Sequence, residues 1–395
     1  MEGHVGDIRL KLFEMLIRQK LLDKGLKAKT LTPQIVSFAI TSACNLKCPH
    51  CHANAKKAFA SELTIKEMLN AINQMADLGT EVLIFSGGEP LLRKNAVLNL
   101  TEYCSDLGII PAMLTNGVLL NYKTAMELKD AGMLAVGIPL DFASPQRHDE
   151  FRGLPGTFSR AVNAIKACLN VDLKVVVTTM AMNSNFEEIS KLLHFLAKLG
   201  VENVVLYDFI ATGRGRELFN AALSMEKWSK LLHRIYTAQA EGDFFFLVSG
   251  GSPLYPGFIM EKQRKNETQP PDKLLRQFMV HSKVGCHAAL YYLSLRPNGD
   301  VYPCPFLQIN AGNIRENSLF EIWYRSEVFN ILRNRKLLRG KCGGCEYREI
   351  CGGCRARAYA KTGDFMEHDP NCPLELFETE ETPLSAIEEF GICVG

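Results

Sequence analysis

The distribution of cysteine is the feature that most constrains this chain. Of 13 cysteines in 395 residues, three lie between residues 44 and 51 and eight lie between residues 286 and 393. Clustered thiols are typical of metal sites, and a disulfide framework is the alternative. Residues 1–30 alternate charged and apolar side chains and contain no hydrophobic segment of a secretory signal. We therefore expect a protein of the reducing cytoplasm whose thiols bind metal.

The overall composition is that of an ordinary globular protein, with 47% hydrophobic and 22% charged residues. It excludes disordered, collagenous and coiled-coil chains. The 45 Lys and Arg residues and the 43 Asp and Glu residues leave a formal charge of +2, so no basic field favours nucleic acid as a partner. No segment approaches the ~20 consecutive apolar residues of a membrane span. We expect a small molecule or a peptide as the substrate.

Short β-branched or apolar segments alternate with longer amphipathic segments, such as 64–78 and 186–199. The predicted strands are 35–42, 81–86, 110–114, 134–140, 174–179 and 203–210. This alternation predicts the α/β class with a parallel sheet and right-handed crossovers. We expect a curved form of that sheet, a partial (βα)6 TIM-like barrel. In such a fold the chemistry lies at the C-terminal ends of the strands.

Five segments are predicted along the chain. Residues 1–34 have apolar side chains at helical spacing with basic ones between them, which predicts an amphipathic helix that packs on the main domain or, alternatively, lies on a membrane surface. The barrel is predicted at 35–230. Glycine and proline interrupt the pattern in 231–283, a predicted bridge or lid. A small domain held together by metal is predicted at 284–375, and 376–395 form an acidic tail.

Cys44, Cys48 and Cys51 form a C-x3-C-x2-C motif directly after the first predicted strand. They lie in segment 41–64, which is longer than most connections between a strand and a helix and is therefore expected to be functional. Three thiolates can bind three irons of a [4Fe–4S] cluster and leave the fourth iron open to a ligand that is not protein. A structural zinc site completed by a neighbouring histidine is the alternative.

This motif resembles the cluster-binding motif of the radical S-adenosylmethionine (SAM) superfamily. In that superfamily the open iron binds the amino and carboxylate groups of SAM. The resemblance implies a SAM-binding [4Fe–4S] cluster, catalytic roles for Cys44, Cys48 and Cys51, and an electron donor such as ferredoxin or flavodoxin. A non-enzymatic iron–sulfur scaffold or redox sensor is the alternative class of function.

A second motif, Gly87-Gly88-Glu89-Pro90, ends the second predicted strand and resembles the turn with which the superfamily holds the SAM amine. Glycine lets the backbone approach a ligand closely, and Glu89 can accept a hydrogen bond from an ammonium group. The alternative for Thr115, Asn116 and Thr179 is that they are ordinary polar residues of the turns at strand ends and bind no ligand. Further SAM contacts implied by the resemblance are Thr115, Asn116, Thr179 and His52, with His50 as the alternative to His52.

The C-terminal cysteines resemble the SPASM domain, an extension of radical SAM enzymes that carries two auxiliary iron–sulfur clusters. Cys286, Gly299 and Cys304 form C-x12-G-x4-C, and two C-x2-C pairs follow between residues 342 and 354. Zinc bound by the two C-x2-C pairs is the alternative. The expected ligands are Cys286, Cys304, Cys342, Cys345, Cys351, Cys354 and Cys372.

The resemblance allocates these cysteines to two clusters. One cluster takes Cys342, Cys345, Cys351 and Cys372, and the other takes Cys286, Cys304 and Cys354. The second cluster then has an open iron or a ligand that is not cysteine. Cys393 is an alternative eighth ligand, although we expect it to be a free surface thiol. Cys104 and Cys168 lie on predicted helices and are expected to be small buried apolar residues.

Within the SPASM group, residues 211–217, 304–306 and 311–315 resemble the branch that acts on tetrapyrroles in the alternative heme and heme d1 pathways. The expected activity is therefore removal or modification of carboxylate side chains, as by a tetrapyrrole decarboxylase or deacetylase. Peptide maturases of the pyrroloquinoline quinone or mycofactocin type are the alternative.

The expected substrate contacts are charged residues near strand ends. Arg214 and Arg216 lie in a glycine-rich turn after the last predicted strand and can donate bidentate hydrogen bonds to carboxylates. Asp141 follows the fourth predicted strand and is expected to contact the substrate or the ribose of SAM. Arg355 and Arg357 are further candidates. Pairing with Asp or Glu is the alternative role for these arginines.

Overall fold

The computed structural model describes residues 31–241, 246–250, 254, 285–349 and 351–372. Almost all of the predicted N-terminal amphipathic helix and the whole acidic tail lie outside the described residues, as does most of the predicted bridge or lid.

One ten-stranded sheet forms the centre of the fold, in the order β10-β9-β8-β1-β2-β3-β4-β5-β6-β7. The strands are β1 (Ile35–Thr41), β2 (Val82–Gly87), β3 (Ile110–Leu114), β4 (Ala135–Pro139), β5 (Lys174–Ala181), β6 (Asn203–Asp208), β7 (Phe246–Gly250), β8 (Tyr292–Leu295), β9 (Asp300–Tyr302) and β10 (Gly312–Asn313). Neighbours from β8 to β7 pair in parallel, and β9 pairs antiparallel with β8 and β10. Among the described residues the sheet is not closed, so this α/β fold is a partial barrel.

The six predicted strands are confirmed as β1 to β6, with ends displaced by a few residues at most. Two further strands extend the parallel sheet, β7 beside β6 and β8 beside β1. Strand β7 lies inside segment 231–283, which the sequence predicted as a bridge, so the sheet continues beyond the predicted (βα)6 unit. The sequence pattern hid β7 because its apolar stretch is short and runs directly into glycine and proline.

Helices connect the successive parallel strands. They are α1 (Ile65–Asp77), α2 (Lys94–Asp106), α3 (Tyr122–Asp130), α4 (Pro145–Arg152), α5 (Thr157–Asn170), α6 (Ile189–Lys198) and α7 (Met225–Glu241). Helix α7 runs across the domain boundary predicted at residue 230. Within the described ranges, no helix combines the length and the apolar character needed to cross a membrane.

Helix α1 shows why these segments fold as predicted. Thr64 and Glu67 form a capping box, in which each side chain accepts a hydrogen bond from the other residue's backbone N–H. The buried residues Met68, Ala71, Ile72 and Met75 recur at the spacing that places them on one face of the helix. The cap therefore fixes where the long cysteine-containing connection ends and the helix begins.

The ends of the parallel strands position the candidate site. Strand β5 alternates buried and partly exposed residues, which is typical of a strand with one face on the core. Because parallel strands all end at the same edge of a sheet, the segments that follow β1 to β6 come together there. We call this edge the C-terminal edge. The last residues of β1 to β6 are Thr41, Gly87, Leu114, Pro139, Ala181 and Asp208.

The C-terminal part of the chain consists of short elements, as predicted for a domain built around metal ligands. Its helices are α8 (Leu319–Arg325), α9 (Glu327–Arg333), α10 (Gly340–Gly344) and α11 (Arg355–Thr362). Trp323 and Phe329 are fully buried and pack edge to face, with their ring centroids 5.3 Å apart. This small apolar core supports the loops that carry the cysteines.

Candidate active site

The loop that carries the first three cysteines is closed at its base by a half-buried carboxylate that sequence reasoning missed. Glu62 Oε1 accepts hydrogen bonds from the backbone N–H of Ser42 at 2.7 Å, from Ser42 Oγ at 2.8 Å and from Thr41 Oγ1 at 3.0 Å. The backbone N–H of Cys44 also donates to the Lys56 carbonyl oxygen at 3.2 Å. The two ends of the loop are thereby held together beside the end of β1.

The three thiols of this loop are partly or fully removed from solvent. Cys48 is buried, and Cys44 and Cys51 are half-buried. Burial raises the pKa of the Cys44 thiol to about 11. Such a thiol is protonated at neutral pH, so it becomes a thiolate ligand only when a metal displaces its proton.

Four cysteines share one local geometry, in which the backbone N–H two residues later donates to the cysteine sulfur. The pairs are Leu46 to Cys44 at 3.4 Å, Phe306 to Cys304 at 3.3 Å, Tyr347 to Cys345 at 3.4 Å and Gly353 to Cys351 at 3.4 Å. Hydrogen bonds to sulfur stabilise thiolate charge and are among the factors that set the potential of an iron–sulfur cluster. Both cysteine sets therefore fit thiolate-ligated clusters.

The zinc alternatives would need several ligands close to one point. Within the described ranges, no three His, Cys, Asp or Glu side chains gather around one point at the spacing of a single metal ion. None of the twelve cysteines in those ranges forms a disulfide. Cys104 and Cys168 are fully buried in the apolar core, and burial raises the pKa of each thiol to about 12. These two residues have the apolar environment that the sequence predicted for them.

The Gly87-Gly88 turn packs on the backbone that leads into the cysteine loop. The backbone N–H of Gly88 donates to the Thr41 carbonyl oxygen at 2.7 Å, and that of Glu89 donates to the Ala43 carbonyl oxygen at 2.8 Å. A Cβ atom on Gly88 would lie 2.0 Å from the Ala43 oxygen. The structure therefore requires glycine here for close approach of two backbone segments, independently of any ligand.

Glu89 connects this turn to the next strand end. Its side chain is buried and accepts hydrogen bonds from Thr115 Oγ1 at 2.6 Å, from the Asn116 backbone N–H at 2.8 Å and from the Leu91 backbone N–H at 3.0 Å. Burial raises the pKa of the Glu89 carboxyl. Asn116 in turn lies beside the cysteine loop, with its Nδ2 3.9 Å from Cys44 Sγ. Glu89 therefore holds two of the predicted SAM-binding turns in register with the first cysteine.

Asp141 and Thr179 are buried at the ends of β4 and β5, and both side chains have partners within the chain. Asp141 forms an ion pair with Arg152 and accepts from the Met180 backbone N–H at 2.9 Å. Burial alone would raise the pKa of the Asp141 carboxyl, but the Arg152 guanidinium holds this pKa below its ordinary value. Thr179 Oγ1 donates to the Leu140 carbonyl oxygen at 2.6 Å. Both carboxylate oxygens of Asp141, expected to contact substrate or ribose, are thus engaged internally.

The two histidines beside Cys51 are half-buried and neutral. The His50 ring stacks on Phe151 with a centroid distance of 4.3 Å, and the His52 ring lies 4.8 Å from Phe306 of the C-terminal domain. Burial, reinforced by nearby arginines, lowers the pKa of His50 to about 3 and that of His52 to about 4. Stacking of His52 on the SAM adenine stays a prediction, because the described contact of its ring is with Phe306.

Arg214 contacts the cysteine loop rather than standing free at the barrel mouth. Its backbone N–H donates to the Cys51 carbonyl oxygen at 2.9 Å, its Nε donates to the Cys48 carbonyl oxygen at 2.8 Å, and its Nη1 donates to the Ala55 carbonyl oxygen at 2.8 Å. Two of the guanidinium N–H groups that were predicted to bind a substrate carboxylate therefore already donate to the cysteine loop. Arg216, in the same turn, is exposed.

The C-terminal cysteines are organised by buried charged residues. Asp369 accepts from the Cys354 backbone N–H at 2.7 Å, and its own backbone N–H donates to Cys342 Sγ at 3.4 Å. Arg355 Nη2 lies 3.7 Å from the same Cys342 sulfur. Arg357 pairs with Asp369 and with Asp208 at the end of β6. Arg357 thus has the pairing with Asp that was the alternative to a substrate contact. Arg355 instead donates to backbone carbonyl oxygens of the C-terminal domain and to the Cys342 sulfur.

Two family models match the chain in the regions that carry the two cysteine sets. The model of the Radical SAM superfamily matches residues 38–196. The model of the SPASM iron-sulfur cluster-binding domain matches residues 286–355. The fold and the site therefore define an enzyme of the radical SAM class, which implies a [4Fe–4S] cluster, SAM and auxiliary iron–sulfur clusters.

Curated relatives span nearly the whole described chain. AdoMet-dependent heme synthase of Methanosarcina barkeri is 36% identical and covers 87% of this chain and 97% of its own length. Pre-heme d1 synthase of Dinoroseobacter shibae is 27% identical, and a PqqA peptide cyclase of Bradyrhizobium diazoefficiens is 26% identical, each over 88% of both chains. This chain therefore belongs to the radical SAM enzymes with a SPASM domain, the family of the AdoMet-dependent heme synthases.

Solved structures show the same fold. A crystal structure of Streptococcus suis SuiB bound to the precursor peptide SuiA superposes with a TM-score of 0.69 at 21% identity, covering 89% of this chain and 78% of that chain. Native anSMEcpe with bound AdoMet superposes with a TM-score of 0.63 at 18% identity, covering 87% and 95%. At this level of identity the likeness extends to the architecture of barrel and C-terminal domain.

Proposed function

We propose that this radical SAM enzyme acts on the carboxylate side chains of a tetrapyrrole in heme synthesis. The observation that carries the proposal is the 36% identity with an AdoMet-dependent heme synthase over 97% of that protein. Another relative, 28% identical, is named Fe-coproporphyrin III synthase. Heme has vinyl groups in place of some of the propionate groups of this iron porphyrin, so Fe-coproporphyrin III is the substrate that we propose.

In this proposal, some residues of the chain hold the catalytic cluster and SAM, and others orient the substrate. Cys44, Cys48 and Cys51 hold the catalytic cluster, and the turn of Glu89 fixes the neighbouring strand ends beside it. When bound, the cluster and SAM supply a 5′-deoxyadenosyl radical, and the auxiliary clusters supply an acceptor for the electron that is released when a propionate loses carbon dioxide to become a vinyl group. The protein's part is to keep the side chain in reach of the radical.

The proposed SAM contacts are those implied by the superfamily resemblance. Their placement supports the proposal, because Glu89 joins the turn after β2 to the turn after β3 and Asn116 reaches the first cysteine. The allocation of the C-terminal cysteines to two auxiliary clusters stays as predicted. The proposed SAM-binding residues are Gly87, Gly88, Glu89, Pro90, Thr115, Asn116, Thr179 and His52.

Arg214 and Arg216 take different roles in this proposal. Arg214 positions the cysteine loop, because three of its N–H groups donate to carbonyl oxygens of that loop. Arg216 is the proposed contact for a substrate carboxylate, since it lies two residues further on in the same turn with its side chain exposed. The reductant that we propose is a ferredoxin or flavodoxin, and the compartment is the reducing cytoplasm, where free thiols persist.

Peptide maturation is the second candidate function. The PqqA peptide cyclases are 26% identical to this chain, and the SuiB structure was solved with its precursor peptide. The two candidates differ in which molecule stimulates SAM cleavage. We would incubate the anaerobically reconstituted, dithionite-reduced protein with SAM and either Fe-coproporphyrin III or peptides, and measure 5′-deoxyadenosine. Stimulation by the porphyrin alone supports the proposal, and stimulation by a peptide alone overturns it.

A further inference from the structure

The guanidinium of Arg152 lies against the sulfur of Cys48. Its Nη1 is 3.9 Å from Cys48 Sγ, and its Nη2 pairs with the carboxylate of Asp141. Arg152 is 8% exposed and Asp141 is 2% exposed, so water screens neither charge strongly. We infer that Arg152 is a positioning residue that stabilises the Cys48 thiolate and raises the reduction potential of the catalytic cluster.

The position of Arg152 is fixed by the turn that ends α4. Gly153 adopts a left-handed conformation, with φ of 72°, and its backbone N–H donates to the Asp149 carbonyl oxygen at 2.8 Å. The Asp149 carboxylate accepts from the backbone N–H of Gly156 at 2.6 Å and of Phe158 at 2.7 Å. The end of α4 is therefore tied to the start of α5, which leaves the Arg152 guanidinium little freedom to leave Cys48.

Asp141 orients the guanidinium without cancelling its effect on the sulfur. Its other oxygen accepts from the Met180 backbone N–H, so the carboxylate is anchored to β5. The ion pair consequently presents its positive end to Cys48. Arg152 is thus a buried cation whose guanidinium contacts this sulfur, whereas Arg214 contacts Cys48 at its backbone carbonyl oxygen.

The sign of the effect follows from electrostatics. Reduction adds one electron to the cluster, so a neighbouring positive charge stabilises the reduced state more than the oxidised state. Hydrogen bonds to cluster sulfurs and the net charge around them are established determinants of potential. The sulfur of Cys44 differs, because its described donors, the Leu46 backbone N–H and Asn116 Nδ2, are both neutral. Of these two sulfurs, the one with a charged donor is therefore that of Cys48.

The test is a redox titration of the holoenzyme followed by electron paramagnetic resonance, in which the signal that changes on addition of SAM identifies the catalytic cluster. Arg152→Gln removes the charge, and we expect the potential to fall by at least 59 mV, which is tenfold in the one-electron equilibrium. Arg152→Lys keeps the charge and should lower the potential less. Arg333→Gln is the control, since this half-buried arginine stacks on Trp323 in the C-terminal domain and should leave the potential unchanged.

A second variant covers the case in which Arg152→Gln fails to fold or to bind iron. Asp141→Asn removes the compensating negative charge and should raise the potential of the same signal. An unchanged potential in an iron-loaded Arg152→Gln protein overturns the inference, as does a lost affinity for SAM without a change in potential. A lowered or unchanged potential in Asp141→Asn also overturns it. The inference rests on the cluster assignment, but the titration contains no porphyrin, so failure of the proposed substrate leaves it unaffected.

Discussion

Arg357 in helix α11 forms a buried ion pair with Asp208, the last residue of β6. The same guanidinium donates to both carboxylate oxygens of Asp369, at 2.6 and 2.8 Å. Asp369 in turn bonds the backbone of Cys354 and the sulfur of Cys342. One arginine therefore joins the C-terminal edge of the barrel to the loops that carry the auxiliary cysteines.

Removal of this arginine should destabilise the protein strongly. Arg357→Met leaves two buried carboxylates without their partner, and loss of one member of a buried ion pair typically costs about 3 to 5 kcal/mol. The measurement is anaerobic urea unfolding of the holoenzyme. Arg339→Gln is the matched control, because its pair with Asp364 is largely exposed and should contribute no more than about 1 kcal/mol. Equal midpoints for the two variants would refute the role of Arg357.

The loop contacts of Arg214 predict a defect in the catalytic cluster. Arg214→Gln removes the charged donors to the carbonyl oxygens of Cys48 and Ala55, each bond worth about 1.5 to 3 kcal/mol. We expect the catalytic cluster to be lost faster under a chelator, while the auxiliary iron is retained. Iron loss is followed by absorbance and by the signal that responds to SAM. A normal rate of loss in this variant would show that the loop does not depend on Arg214.

Arg216 should affect the substrate instead. Arg216→Gln removes a charged donor to a porphyrin carboxylate, which should weaken binding by about 1.5 to 3 kcal/mol, or roughly one to two decades in affinity. The stability of the catalytic cluster to a chelator should not change. Titration of Fe-coproporphyrin III absorbance against wild type, Arg216→Gln and Arg214→Gln separates the two roles. If only Arg214→Gln weakens porphyrin binding, the assignment of the two arginines is reversed.

His148 predicts part of the acid sensitivity of the fold. Burial lowers its pKa to about 4, and its Nδ1 accepts from the Asp141 backbone N–H at 3.2 Å. Because the folded pKa lies below the ordinary value, the stabilisation is complete above about pH 6.5 and is lost as the pH falls toward 4. His148→Asn keeps an acceptor but does not titrate. Between about pH 7.5 and about pH 5.5, the unfolding free energy of wild type should fall by about 1 kcal/mol relative to that of the variant. A difference that is constant with pH would contradict this origin.

The sequence predicted those parts of the fold that are encoded by patterns of neighbouring residues. Alternating apolar segments predicted β1 to β6, and cysteine spacing predicted both metal-binding regions. Strand β7 was not predicted because its five residues give too short a pattern. Strand β8 was not predicted because it lies among the C-terminal cysteines in the sequence but pairs with β1 of the barrel sheet. Local pattern does not specify which distant strand an isolated segment pairs with.

The contacts of the residues proposed for the site were not predictable from the sequence. Glu89 was expected to meet SAM, and its described contacts are with the neighbouring strand ends. Arg214 was expected to meet a carboxylate, and its donors lie on the cysteine loop instead. Glu62 was missed altogether, because its partners are about 20 residues away along the chain. Such contacts depend on how loops pack against one another in the folded protein, and a single sequence does not predict these tertiary contacts.

The most direct test of the proposed activity follows a hydrogen atom. Fe-coproporphyrin III deuterated on its propionate side chains is incubated anaerobically with SAM, reductant and the holoenzyme, and 5′-deoxyadenosine is examined by mass spectrometry. The account predicts deuterium in the 5′-deoxyadenosine together with an iron porphyrin that has lost carbon dioxide, and neither product from a variant with Cys44, Cys48 and Cys51 all replaced by alanine. Unlabelled 5′-deoxyadenosine and an intact porphyrin from the wild-type protein would contradict it.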